Sequence, residues 1–178
     1  MSITAFENLI STAERRALIS GVDKTTLRLS DFVGIIPAIT GKVELVYEGE
    51  QEGADVVAES LIGSAIRTLF PEYFPKIEKL EKPDEKTPYS DIVEWFFAES
   101  GFELLDDASD AAYKSILDEV APLDDLLKKY QPQTPKEDEY FLKEFVLWGL
   151  VEYKKLSKDR FAKGNQFRDI YGSYISKF

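Results

Sequence analysis

The chain has 178 residues, 44% of them apolar and 13% aromatic, which is enough to build a core for one domain or two small ones and argues against wholesale disorder. A net charge of −11 repels phosphate backbones and anionic lipid, so nucleic acid and membrane surfaces are disfavoured as partners. There is no cysteine and no histidine, which removes disulfides, thiol chemistry, the commonest general base and the commonest transition-metal ligand.

In chain order, residues 3–19 read as an amphipathic helix. Ile3, Phe6, Ile10, Ala13 and Ala17 form the inward stripe, Glu7, Glu14 and Arg15 face out, and Gly21 ends the helix. Ser30 or Asp31 caps a short second helix of about three turns carrying Phe32, Ile35, Ile36 and Ile39, with Pro37 as a fault inside it and Gly41 at its end. Val43, Leu45 and Tyr47 alternate with polar neighbours, so residues 42–48 are either a short strand or hairpin or an extension of that helix. A broad apolar face over 54–70 predicts a third helix, closed by Pro71 and Pro75. The charged stretch from Pro75 to Pro88 is the best boundary in the chain, dividing a region 1–74 from a region 89–178.

Beyond it, Ser90 or Asp91 starts a helix that turns Ile92, Trp95 and Phe96 inward, and Gly101 stops it. A longer helix runs from about Ser109 to Val120 and is interrupted or restarted at Pro122. Thr134 as N-cap, Pro135 and Glu137 open a helix to about Phe161, with Phe141, Phe145, Trp148 and Val151 on it. Gly164 and Asn165 break that helix, and a last one spans 166–175. The expected fold is all-α, unless residues 42–48 form one short strand or hairpin instead of extending the helix before them.

No phosphate-cradling GxxxxGK[ST] loop is present, so the chain is not expected to be an enzyme on its own. Glu48, Glu50, Glu52 and Asp55 are oxygen ligands of the kind hard cations take, but they lack the spacing of a known loop and read as a solvated loop; no metal site is expected. Asp106, Asp107 and Asp110, and Asp124 with Asp125, read as helix-start charges. The aromatics Trp95, Phe96, Phe141, Phe145 and Trp148 read as core rather than as a partner groove. The longest apolar run, Phe145 to Val151, falls far short of the roughly 20 residues that span a bilayer, and the N-terminus lacks the pattern of a signal peptide. A cytoplasmic protein follows as the default.

The strings AFENLISTAERRAL (Ala5 to Leu18) and PAITGKVELVYEGEQEG (Pro37 to Gly53) resemble the small helical lid that follows the ATPase core in the magnesium-chelatase-like branch of the AAA+ ATPases, near the MoxR group. The resemblance covers roughly residues 1–74 and departs from MoxR itself after Ile39, where Gly41, Lys42 and Val43 replace a basic ending. It implies a lid-like piece, 1–74, followed by a helical extension, 89–178, all of it non-catalytic. It further implies that the piece couples nucleotide state to ring assembly and to remodelling of a partner protein. Its partners would then be the AAA+ core and neighbouring ring subunits, and ATP and magnesium would be held by that core rather than by this chain. The helix opening almost at Met1 reads as an engineered fragment or a truncated reading frame. The family's sensor arginine falls at or before Met1, and Arg15 and Arg16 are the nearest arginines that could contact nucleotide phosphates; the alternative is that both form surface pairs with neighbouring glutamates. A different class of reading is a free-standing acidic helical module that binds a protein and has no nucleotide role. A hydrolase built on paired carboxylates finds no recognisable motif.

Overall fold

A computed structural model describes residues 2–40, 42, 53–77, 86–99, 102–161 and 163–170. Among them the protein is mostly helical, and the all-α expectation is corrected by a small antiparallel sheet. Residues 43–48, where a strand or hairpin was expected, lie outside the described residues.

The first helix, α1 (Ser2–Ser20), ends as its sequence requires. Gly21 takes a left-handed φ of 66°, Val22 N–H bonds Ala17 O at 3.0 Å and Gly21 N–H bonds Leu18 O at 3.2 Å, which closes a Schellman motif. A 3₁₀ stretch, η1 (Leu29–Ile35), then runs into α2 (Ile36–Thr40), so Pro37 sits in the first turn of an α-helix, where a missing N–H does no harm. Arg28 is the N-cap of η1, not Ser30 or Asp31; the Asp31 carboxylate reaches back to accept the Arg28 N–H at 2.8 Å. The third helix, α3 (Ala54–Tyr73), continues through Pro71 into a last turn and stops at Phe74.

The helix α4 (Ser90–Ala98) buries Ile92 and Phe96 as expected. Strand β1 (Phe102–Leu105) follows it, then α5 (Asp110–Glu119), whose N-cap Ser109 accepts from Ala112 N–H. Pro122 restarts the chain as α6 (Ala121–Tyr130). The helix α7 (Lys136–Glu152) is the axis of the fold: every residue from Leu142 to Leu150 is buried. Phe70 of α3 stacks on Phe145 at 5.6 Å and lies over Gly149, where a Cβ would run into its ring.

Two expectations fail at the C-terminal end. The helix expected from Thr134 stops at Glu152 rather than near Phe161, and residues 166–169, expected to open a last helix, belong to a strand, while 171–175 lie outside the described residues. Strands β2 (Leu156–Phe161) and β3 (Gly164–Asp169) form a hairpin, and β1 pairs with the other edge of β3. Lys154 ends α7 at a left-handed φ of 59°: Lys155 N–H bonds Leu150 O at 2.8 Å and Lys154 N–H bonds Val151 O at 2.9 Å. That is again a Schellman closure, made by a lysine where glycine is usual, so the helix stops without the residue that announces a stop. Gly164 is needed because β3 crosses the Leu104 carbonyl too closely for any Cβ.

One apolar core contains Leu29, Ile66, Phe70, Phe74 and Ile77 from before the charged stretch together with Tyr89, Ile92 and the residues of α5 to β3 from after it. Tyr89 donates its hydroxyl to the Pro75 carbonyl, tying the two ends of that stretch together, and burial pushes the phenol pKa far up. Residues 78–85 lie outside the described residues.

Candidate functional site

The two arginines singled out by the sequence end in different places. Arg15 is exposed. Arg16 is 5% exposed and is not in a surface pair: it sits in a buried polar knot under α1. Its Nε donates to Asp31 Oδ1 at 3.1 Å, Nη2 to Asp31 Oδ2 and the Thr26 carbonyl at 2.8 Å each, and Nη1 to Thr25 Oγ1 at 2.7 Å and Asp110 Oδ1 at 3.3 Å. A guanidinium has five N–H donors, and this set engages all of them. A phosphate could reach Arg16 only by displacing partners within the chain.

The knot continues inward. Arg28, fully buried, donates to the Ala108 carbonyl at 2.8 Å and to Asp110 Oδ1 at 2.6 Å, and its guanidinium lies 4.2 Å from the Tyr113 ring centroid. Burial, and then the neighbouring Arg16 charge, lower its pKa despite the Asp110 contact. Tyr113 donates to Glu144 Oε2 at 2.8 Å, which also accepts the Leu29 N–H at 2.8 Å, while Glu144 Oε1 has no partner. Burial raises the Glu144 pKa, its two hydrogen bonds opposing the rise only in part, and burial followed by the Glu144 charge pushes the Tyr113 phenol well up. Asp110, expected as a dipole charge at a helix start, does open α5, but it also closes this network across more than 80 residues of sequence. Asp106, by contrast, is not at a helix start; it accepts both Arg160 Nη groups, at 2.9 and 2.6 Å. Asp124 is in the first turn of α6 and, with Asp118, holds the buried Lys143 ammonium at 2.6 and 2.5 Å.

Outside the knot, α1 is poorly covered. Ala13, Arg16 and Ala17 are buried, but Ile3 is 75% exposed, Phe6 63%, Leu18 80% and Ile19 63%. The expected inward stripe is therefore wrong at its first two positions. Ile3 and Phe6 share a helix face with the buried Ala13 and Ala17, so the stripe is oriented as expected but is left exposed over its first turns. On the far side of η1 an apolar groove of about 620 Å³ runs between η1, α3 and the start of α7. Leu61, Leu69 and Tyr73 are its exposed rim, Phe32, Ile66 and Phe141 its floor. Phe96, Phe145 and Trp148 are core and Trp95 and Phe141 pack against it, while Phe141 and Phe145 also line this groove.

Sequence reasoning missed the groove because its walls come from three separate elements. It missed the Arg16–Asp31–Asp110 knot because nothing local marks a surface-looking arginine as buried. Among the described residues no cluster of carboxylates is arranged to hold a metal ion; Asp55 is in the first turn of α3 and Glu48, Glu50 and Glu52 lie outside the described residues. No described helix is long and apolar enough to cross a membrane. Comparisons with protein families, with curated proteins and with solved structures find no match to this chain.

Proposed function

We propose that the chain is a non-catalytic, cytoplasmic docking unit of a magnesium-chelatase-like, MoxR-related AAA+ ATPase, seated against the ATPase core through α1. The observation that carries this is the uncovered apolar surface at the two ends of α1: Ile3 and Phe6 at one, Leu18 and Ile19 at the other. The neighbouring Ile3 and Phe6 left in water on one helix face mark a protein interaction site, and the resemblance of this helix to an AAA+ lid supplies the ATPase core as its occupant. With Arg16 engaged inside the chain, coupling runs through the seating of α1 on the core and not through a phosphate contact by that residue. ATP and magnesium belong to the core in this reading, and the groove beside α3 is left for the remodelled partner.

The test is to add this chain to a magnesium-chelatase-like ATPase core and to measure ring assembly and ATP turnover. Binding to the core and altered turnover are expected, and both should be lost with the Ile3→Glu/Phe6→Glu double variant, whose helicity must stay unchanged. Turnover and assembly that ignore a saturating amount of the chain would overturn the reading. One observation favours the alternative, an acidic helical protein-interaction module with no nucleotide role: every donor of Arg16 is already satisfied. That module would bind a partner equally well with and without ATP.

A further inference from the structure

Phe32 and Ile62 each have two sides. One lines the apolar groove, and the other forms the wall of a second cavity of about 370 Å³, closed on its far side by Trp148 of α7 and by the inward face of the sheet. Residues two apart on a strand share a face, and the register pairs Lys158 with Phe167 and Asn165 with both Arg160 and Leu104. Lys158 and Asn165 therefore stand on the same face as the core residues Phe167 and Leu104, where apolar side chains belong.

Three polar groups converge there without adequate partners. Asn165 is 1% exposed and neither atom of its amide has a hydrogen bond. The Trp148 indole N–H is buried and also unpaired. The Lys158 ammonium lies 3.4 Å from the centroid of the Trp148 ring, and no carboxylate among the described residues is close enough to pair with it. Buried polar atoms without partners are costly, so the orphaned Asn165 amide and Trp148 N–H beside a lysine held only by a ring describe a recess shaped for something that supplies the missing bonds. The other charges around the cavity largely cancel: Arg67 lies 3.7 Å from Glu152, and Arg160 is held by Asp106. What remains is the Lys158 cation at the inner end and the Glu59 carboxylate on the α3 rim.

We propose that this cavity binds a zwitterionic α-amino acid with an apolar side chain. Its carboxylate draws the Lys158 ammonium off the indole face, with the Asn165 amide and the Trp148 N–H beside it. Its ammonium meets Glu59, and its side chain lies on Phe32, Ile36 and Ile62. The volume is that of a small-ligand site, and the balance of one apolar wall with a few convergent polar groups is what such sites share. A dianion such as phosphate is disfavoured, because the one uncompensated cation, Lys158, shares the cavity with the Glu59 carboxylate.

The chain carries its own reporter. In a Trp95→Phe variant Trp148 is the sole tryptophan, and its fluorescence should change saturably as L-leucine or L-phenylalanine is added. Isovalerate, which lacks the ammonium, and leucinamide, which lacks the carboxylate, should each bind roughly tenfold or more weakly, as expected for loss of a charged hydrogen bond. Lys158→Met, which keeps the apolar stem, and Glu59→Gln, at an exposed position on α3, should weaken L-leucine to the same degree while circular dichroism stays unchanged. Absence of a saturable signal with both amino acids overturns the proposal. So does isovalerate or inorganic phosphate binding as tightly as L-leucine, or full affinity in Glu59→Gln.

Discussion

Helices α1 and α7 are close in length, 19 and 17 residues, and each buries charge, yet they are held in opposite ways. The axis helix α7 is covered on all sides over its second half, so it has no stripe, and its charges are enclosed: Lys143 between two aspartates, Glu144 with one oxygen left unpaired. The edge helix α1 touches the body along one flank, through η1, α2 and the Arg16 knot, and its charge is fully matched. A helix at the centre is fixed by packing and tolerates an imperfect polar group. A helix at the edge has little packing to spend and depends on polar geometry being complete.

The largest effects should come from the packing around α7. Phe70→Ala removes a fully buried ring that stacks on Phe145 and fills the space over Gly149, and should cost about 3–5 kcal/mol in urea unfolding. Next is Arg16→Met, which strands Asp31 as a buried charge and should cost about 3 kcal/mol. The double variant with Asp31→Asn should recover part of that loss, because the two residues act as a pair. If Arg16→Met were as damaging as Phe70→Ala and the double variant recovered nothing, α1 would be held by packing after all, and the contrast would fail.

The third prediction concerns pH. Burial raises the native pKa of Glu144 above the ordinary 4.5, so the folded state keeps this proton where the unfolded chain has released it. In that window the native state binds more protons, and this residue's contribution to stability falls as pH rises from about 4.5 to its native value. Comparing unfolding free energies of the wild type and Glu144→Gln across that range isolates the contribution of this carboxyl, and the glutamine variant should lack this downward slope. The smallest effect is expected at the edge. Phe6→Ser should change stability by no more than about 0.5 kcal/mol, since the ring is already in water. A larger loss would mean that α1 buries that ring in solution.

The helices α4, α5 and α6 were legible because their signals are local: Ser109 and Pro122 mark starts, and Ile92 and Phe96 fall at helical spacing. The sheet was not. Its stability comes from pairing Phe102 with Phe167 and Lys158 with Phe167, contacts that a window along β2 or β3 does not contain, and both strands are too charged to alternate cleanly. The end of α7 was hidden because Lys154 adopts the conformation that glycine usually signals. Arg16 was misjudged for the same reason as the sheet: its anchors Asp31 and Asp110 are 15 and 94 residues away.

The one-sided attachment of α1 has a kinetic corollary. Opening this helix breaks the Arg16 bonds and uncovers Ala13 and Ala17 but removes no residue from the α7 core, so α1 should form a separate unit of local unfolding. Its backbone amides should exchange with solvent deuterium through that partial opening, well before those of residues 142–150, whose exchange waits for the whole molecule to unfold. Each such opening also releases Asp31 to water and frees the Arg16 guanidinium, so the state in which α1 is off the body is also the state in which Arg16 can bind another anion.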